Sequence, residues 1–558
     1  MDISSDMIRS SISGNDVVAN RNEGGGFWNA SGGSLVLLNG VDVNGNIATE
    51  GGGFYQESDG ARVELTDVVM DGNTGRSRGG GFYNVSGLSE VELNNVEITN
   101  NQTNTEHGGG FRNQGQVIGQ DVVISGNTSG ATDHAANNNS NNVGGGFYNT
   151  GSIAIVNLER VEITDNLAHG RGGGFYNSGS GQVTLTDFIV SGNATDQGTS
   201  ETQGRGAGFW NSSNSDVILN RGELSENESF GHGAGFYQQD SGSTVTATNA
   251  TISGNKAGID QTNGSFVDRV GGGFWALSTG SQVNLDHVTI SNNQTTRSGG
   301  SAGGGFRVET GVATNLENSI VFGNLTNFDA APLANNDIDN NSGALLTVIG
   351  DNALGVVAGA ITSGDTGGII TADPLLAVLT DNGGSTVHSR THSLLPTSSA
   401  IDVATGSTET VDGRGFSRTF AGNVARDVGA FEVAPLEFTL AGGGYRVRLD
   451  AATMTQIEIV DDSTSTVVAS SPYASTVSVV LTGSALDERV IVDHVNGDPL
   501  PSGGLDFDGM GEVVGDDLLV EDSAAVPITT FTTLQSVLLI VATDPEFSRC
   551  SIKRDNPF

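Results

Sequence analysis

One short motif, repeated at intervals of 27 to 38 residues, decides what this chain can fold into. Gly-(Gly/Ala)-Gly-Phe occurs ten times, with its phenylalanines at Phe27, Phe54, Phe82, Phe111, Phe147, Phe175, Phe209, Phe236, Phe274 and Phe306. Each copy is followed by an alternating run such as VELTDVVMDGN (63–73), VELNNVEITNN (91–101) or VTLTDFIVSGN (183–193). Alternation rich in β-branched residues and ended by Gly or Asn is strand chemistry, and no helical period accompanies it. Such self-similarity signals a solenoid, in which each unit buries its apolar side by stacking on the next.

From each Phe to the Asn that closes its run is 16 to 19 residues, and 18 or 19 in nine of the ten copies. From that Asn to the next Phe the count runs from 8 to 20. Nearly all length variation therefore falls at one corner, where insertions project from a stack. The long inserts are 128–143, 194–205 and 256–270. A coil of 27 to 29 residues holds three short strands, GGGFYN-like, VxL-like and VxIxxN-like. Parallel strands stack about 4.8 Å apart, so ten coils predict a rod roughly 45 Å long. The crossover rule makes it right-handed. A leucine-rich horseshoe needs a helix or LxxLxL, and a propeller needs four strands per blade; neither fits. The reading is all-β: a right-handed single-stranded parallel β-helix, a pectin-lyase-like solenoid, over 1–380. A C-terminal cap over 381–432, a small β-rich domain over 433–523 and a tail over 524–558 follow.

Composition narrows the partners. The net charge is −40 and only Lys256 and Lys553 are lysines. Such a surface repels nucleic acid and anionic membranes, attracts cations and offers little to polyphosphates. The 83 glycines sit in register with aliphatic runs, which disordered chains lack. The single cysteine, Cys550, excludes an internal disulfide framework. No run of 18 apolar residues predicts a transmembrane helix, and the opening MDISSDMIRSSISGN lacks the basic-then-apolar order of a signal peptide. Ser11–Asn15 reads as the end of a repeat, so the expectation is a chain truncated inside a coil, with any export signal upstream.

Strand alternation assigns faces. The Phe column points inward as a stacked ladder. The next column is Trp28, Tyr55, Tyr83, Arg112, Tyr148, Tyr176, Trp210, Tyr237, Trp275 and Arg307, and it points outward. The third column, with Asn29, Gln56, Asn84, Asn113, Asn149, Asn177, Asn211 and Gln238, is expected as an inward or corner amide ladder. An outward stripe of eight aromatics and two arginines is the candidate binding surface, because such rings stack on sugars or partner side chains. The competing reading is that neighbouring rings stack on each other and shield the sheet.

GGGFYN alternating with ISGN-type turns resembles the repeats of the polymorphic outer-membrane-protein family over roughly 11–325. That resemblance implies a β-helix acting as a bacterial surface adhesin or autotransported passenger. A second stretch, DPLLAVLTDNGGSTVHSRTHSLLPTSSAIDVA, VDGRGFSRTF and ARDVGAFE within 373–432, resembles the choice-of-anchor region of β-helix surface proteins. Its polar residues His392, Asp402, Asp412, Arg414, Arg426, Asp427 and Glu432 are expected as a salt-bridged cap over the open end of the solenoid rather than a catalytic set.

Pectate-lyase-like lyases and hydrolases also use the β-helix, and they need clustered carboxylates. The tripeptide Gly231–His232–Gly233 occurs in one hydrolase family, but that family's Arg-Ile-Lys motif is absent. His232 falls in a column before each triplet, with Glu23, Glu50, Arg78, His107, Arg171 and Arg205, which repeat register explains. The stretch 503–520 resembles a degenerate glycine-aspartate calcium repeat, with Asp506, Asp508 and Asp516 as its ligands. A single copy lacks the neighbouring turn that shares ligands, so no cofactor is expected. The functional expectation is a secreted or cell-surface, adhesin-like protein that binds carbohydrate or partner surfaces without catalysis. An extracellular polysaccharide lyase or glycoside hydrolase is the alternative.

Overall fold

The computed structural model describes residues 10–17, 23–131, 142–196, 204–259, 269–296, 302–326, 334–364, 368–384, 387–395, 397–418, 425–452, 454, 456–473, 476–484, 486, 488–497, 499–501, 505–508, 517–521, 537–538 and 549–554. Among them there is no α-helix, and none that is long and apolar enough to cross a membrane. The chain winds as a right-handed parallel β-helix with three long sheets whose strands follow one another in sequence order. One sheet holds the Phe strands, from Phe27–Asn29 through Phe306–Val308 to Val357–Ala358. A second holds the long strands, such as Arg62–Asp71, Glu90–Thr99 and Gln182–Ser191. A third, after each closing Asn, runs from Ile47–Glu50 to Leu325–Thr326 and ends on the antiparallel Ala334–Asn335.

The three strands expected per coil are present in a different division. In seven coils the VxL-like and VxIxxN-like runs merge into one ten-residue strand, and the third strand lies beyond the Asn. The merged strand turns its corner at one residue in left-handed conformation: Asp67, Asn95, Asp121, Arg160, Asp187, Arg221 and Asn249, all with φ between 50° and 55°. Asn and Asp tolerate this region. The two arginines are held there by two-pronged bonds to the coil beneath, Arg160 to Asp121 (2.7 and 2.9 Å) and Arg221 to Asp187 (2.8 and 2.9 Å).

Inside, the ten phenylalanines form one column, with neighbouring ring centroids 4.5–5.0 Å apart and nearly parallel planes. The third column forms the expected amide ladder from Asn29 to Asn211, buried throughout. A second ladder was not anticipated. The closing asparagines Asn46, Asn73, Asn101, Asn127, Asn166, Asn193, Asn227, Asn255, Asn293 and Asn324 each pass a side-chain N–H to the next at 2.8–3.1 Å. The last donates to the carboxylate of Asp337, which burial pushes above the usual aspartate range.

The geometry also explains the glycine triplet. Gly51 has φ +64°, and a Cβ there would meet the carbonyl of its own Phe54 at 2.1 Å. A Cβ on Gly52 would strike the backbone of Gly80 and Thr74 at 2.3–2.7 Å. One on Gly53 would lie 2.5 Å from the Gly81 carbonyl. In this coil the three positions face three different backbone obstacles, while the middle position accepts a methyl in two other coils, at Ala207 and Ala234.

Residues 373–433 correct one expectation. The described residues among them lie along the flank of the solenoid, against five successive coils, where an end cap was expected. Arg390 reaches Glu223 and Glu226; His392 meets Ser253; Glu409 and Arg418 meet Asn249; Ser407 meets His287; Gly429 and Ala430 meet Asn318 and Thr289. An apolar seam of Ile320, Ala353, Leu394, Ala400, Ala404, Val428, Phe431 and Val433 fills the junction. The polar groups here are salt-bridged as expected: Arg414 holds Asp412 at 2.6 Å, and Arg418 holds Glu432 at 2.8 Å, all four deeply buried. Asp427 accepts from the backbone N–H groups of Asp402 and Val433, and Arg426 donates to the Glu409 carbonyl.

Two histidines staple this flank in their neutral form. His392 Nδ1 donates to the Ala377 carbonyl (2.7 Å), so its Nε2 accepts from Ser253 Oγ (2.8 Å). His287 Nδ1 donates to Asp286 (2.6 Å), so its Nε2 accepts from Ser407 Oγ (3.0 Å). Burial holds both below the ordinary imidazole range; Arg390 adds to this at His392, and Arg418 and Arg426 at His287, while Asp286 opposes it. A depressed histidine contributes stability above its unfolded value, near pH 6.5, and loses it as pH falls through its folded value. Lowering the pH from 7 to 5 is therefore expected to speed amide hydrogen exchange in 388–409 several-fold while the Phe strands stay protected. Asp427, raised by burial and by Glu432, works in the opposite sense. The His287→Gln, His392→Gln double variant isolates the histidine share; an equal acid response in that variant would disprove it.

The remaining strands form two five-stranded sheets around a separate core that includes Val447, Ile457, Ile459, Val479, Leu481, Val490 and Val492. Arg549–Arg554, expected in the tail, pairs antiparallel with Leu505–Asp508. Asp506 and Asp508 lie on that strand, and Asp516 lies outside the described residues. Among the described residues no group of three or more His, Cys, Asp or Glu is placed to hold a metal ion.

Candidate functional site

The second column of the Phe sheet is in register over all ten coils, from Trp28 against Tyr55 to Trp275 against Arg307. It lies on the outer side of the inward Phe ladder, but most of it does not face solvent. Tyr55, Tyr83, Trp210 and Tyr237 are buried, and Arg112, Tyr148, Tyr176, Trp275 and Arg307 are half-buried. Trp28 alone in the column is exposed, at 37%.

The rings cover one another. Tyr148 stacks on Tyr176 at 5.2 Å, and Trp210 meets Tyr237 edge-on at 4.4 Å. In four coils the residue before the glycine triplet then reaches over the ring of the following coil. Arg171 lies 4.5 Å from Trp210, Arg205 lies 5.0 Å from Tyr237, and His107 and His232 pack on Tyr148 and Trp275. Within the column, the Arg112 guanidinium sits between Tyr83 and Tyr148, 4.9 and 5.4 Å from their centroids. A cation over a ring face is attracted by the ring quadrupole, more so when desolvated.

The polar ends of the rings are also engaged. Tyr83 donates to Gln114 (2.7 Å), Tyr237 accepts from Arg205 (2.9 Å) and Trp275 donates to Glu309 (3.2 Å). Burial raises the Tyr237 phenol to about 12 and moves Tyr55, Tyr83 and Tyr176 upward as well, so all four remain protonated at neutral pH. Arg307 closes the column on Glu309 and Asp339, at 2.6 and 2.7 Å.

The column therefore works mainly as a brace, cross-linking each coil to the next through ring and cation contacts. What the sequence reading missed is the cover. His107, Arg171, Arg205 and His232 stand in a visible column, but which ring each overlies depends on the triplet turn, whose path composition does not reveal. No protein-family model matches the chain, and no curated protein matches it.

Proposed function

We propose that this chain is a secreted or cell-surface, adhesin-like β-helix that recognises glycans or partner surfaces without catalysis. The observation that carries this reading is the use made of its acids. Along the coils several of them are tied to arginines of neighbouring rungs: Glu50 and Glu106 to Arg78, Glu90 and Glu92 to Arg62, Asp121 to Arg160, Asp187 to Arg221. Carboxylates committed to holding coils together are not poised as an acid–base pair on a sugar chain. The resemblance of the repeats to polymorphic outer-membrane proteins, and of 373–432 to choice-of-anchor regions, supports display at a bacterial surface. The strongly acidic surface favours neutral or cationic partners.

Trp28 is the most exposed ring of the column, at 37%. Trp28→Ala is expected to lower adhesion to cells or immobilised glycans by roughly 10-fold, the scale of an exposed aromatic anchor, without shifting the melting temperature appreciably. Unchanged adhesion would remove the column from recognition. Release of unsaturated or reducing ends from polysaccharides by the intact chain would replace this reading with the lyase or hydrolase one.

A further inference from the structure

One coil departs from the length of all the others. Phe111 to Asn127 is the 16-residue copy, shortened in the turn after the Phe strand. Gly119 stands where Leu93, Leu158 and Leu185 form a buried column in the coils around it. A Cβ at Gly119 would lie 2.5 Å from the Leu93 carbonyl, so the backbone runs where only glycine fits. Beside it Ile118 points outward between Glu92 and Asn157, in a column whose other apolar members, Leu37 and Ile218, lie two or more coils away. Departures from an otherwise consistent pattern concentrate at functional sites.

At this place the outer face of the long strands holds an open depression of about 450 Å³. Its walls carry the amides of Asn94, Gln120 and Asn157 and the carboxylates of Glu92 and Glu159, with Ile118 and Gly119 as the apolar floor. We infer that this depression is a binding site for a short, uncharged, hydroxyl-rich ligand, an oligosaccharide of neutral sugars. The inference rests on the recognition function proposed above and places the contact on a different face from the aromatic column.

Each sugar hydroxyl both donates and accepts, so it needs walls that do both. The amides and carboxylates supply that mixture. Arginines hold both acids but are shared: Arg62 touches Glu64 and Glu90 as well as Glu92, and Arg160 donates to Asp121, to Glu159 at 2.6 Å and to Gln120 at 2.9 Å. The acids can still accept from hydroxyls, and with more carboxylates than arginines around them the walls stay negative, which disfavours an anionic ligand. The apolar floor suits the C–H face of a ring. The lining runs from Glu92 to Thr186 over four coils, a span of roughly 14 Å at the usual strand spacing, which suits more than one ring. An acidic sugar polymer is disfavoured by the −40 net charge. An extended peptide finds no free strand edge, because these strands are paired on both sides.

Calorimetric titration of the full chain with cellotriose, galactotriose, mannotriose and trigalacturonic acid tests the site. At least one neutral trisaccharide is expected to bind and trigalacturonic acid is not. The Gln120→Ala, Asn157→Ala double variant, whose side chains are exposed, is expected to weaken binding 10-fold or more with an unchanged melting temperature. Equal binding by the double variant, or equal binding of trigalacturonic acid, would overturn the site. A chain that adheres to cells through Trp28 but binds none of the neutral trisaccharides would also overturn it, and would leave the proposed function standing. A chain that binds neither cells nor glycans would end both.

Discussion

Asn166→Ala is expected to lower the unfolding free energy of the solenoid by roughly 3–6 kcal/mol, the sum of several buried polar groups left without partners. The Asn166 carbonyl oxygen accepts from both the backbone and the side chain of Asn127, at 3.0 and 2.9 Å. Its amide nitrogen donates to Asn193 at 3.0 Å and to the Ile124 carbonyl at 2.8 Å. Alanine removes four bonds at once, in a place where no solvent can replace them. Chemical denaturation measures the loss. Asn157→Ala, one coil side away but exposed, is the control and is expected to change stability by no more than about 0.5 kcal/mol. Similar effects at the two positions would show that the inner ladder adds nothing beyond side-chain bulk.

The second large effect belongs to Arg418. Its side chain is fully buried and donates to Glu432, to Asn249 of the solenoid and to the carbonyls of Val411, Asp427 and Gly429, at 2.7–3.2 Å. Arg418→Ala strands the Glu432 carboxylate in the interior, a change that typically costs about 3–5 kcal/mol. The cost is expected to fall on the flank segment, because its contacts with the coils are the ones broken. Hydrogen exchange is expected to accelerate over 397–433 and to stay unchanged in the coils from Phe54 to Asn166. Adding Glu432→Gln is expected to recover part of the loss, since it removes the stranded charge. Acceleration along the whole solenoid would contradict this local role.

The repeat was legible because its signal is redundant. Ten Phe positions and ten closing asparagines state the same pitch, so coil, handedness and inward column follow from pattern alone. The merging of two predicted strands was less legible. A corner at a single left-handed residue keeps the hydrogen-bond ladder running, and Asp67 or Arg160 looks like any polar residue in an alternating run. The flank was mistaken for a lid because composition shows only that 381–432 is punctuated and polar. Its partners Glu223, Ser253 and His287 are hundreds of atoms away along the chain and resemble ordinary outward strand residues. The aromatic column was placed correctly in sequence, but its exposure was decided by arginines one coil away.

The closing asparagines all hand their proton in one direction along the rod, and the run finishes on an aspartate. An object built this way has a head and a tail, like a chain of identical couplings with a buffer stop. Any one coupling accepts any other, so a gene can gain or drop whole units without redrawing either terminus. The length of the rod is then set by copy number, each unit gained or dropped changing it by one strand spacing, roughly 4.8 Å.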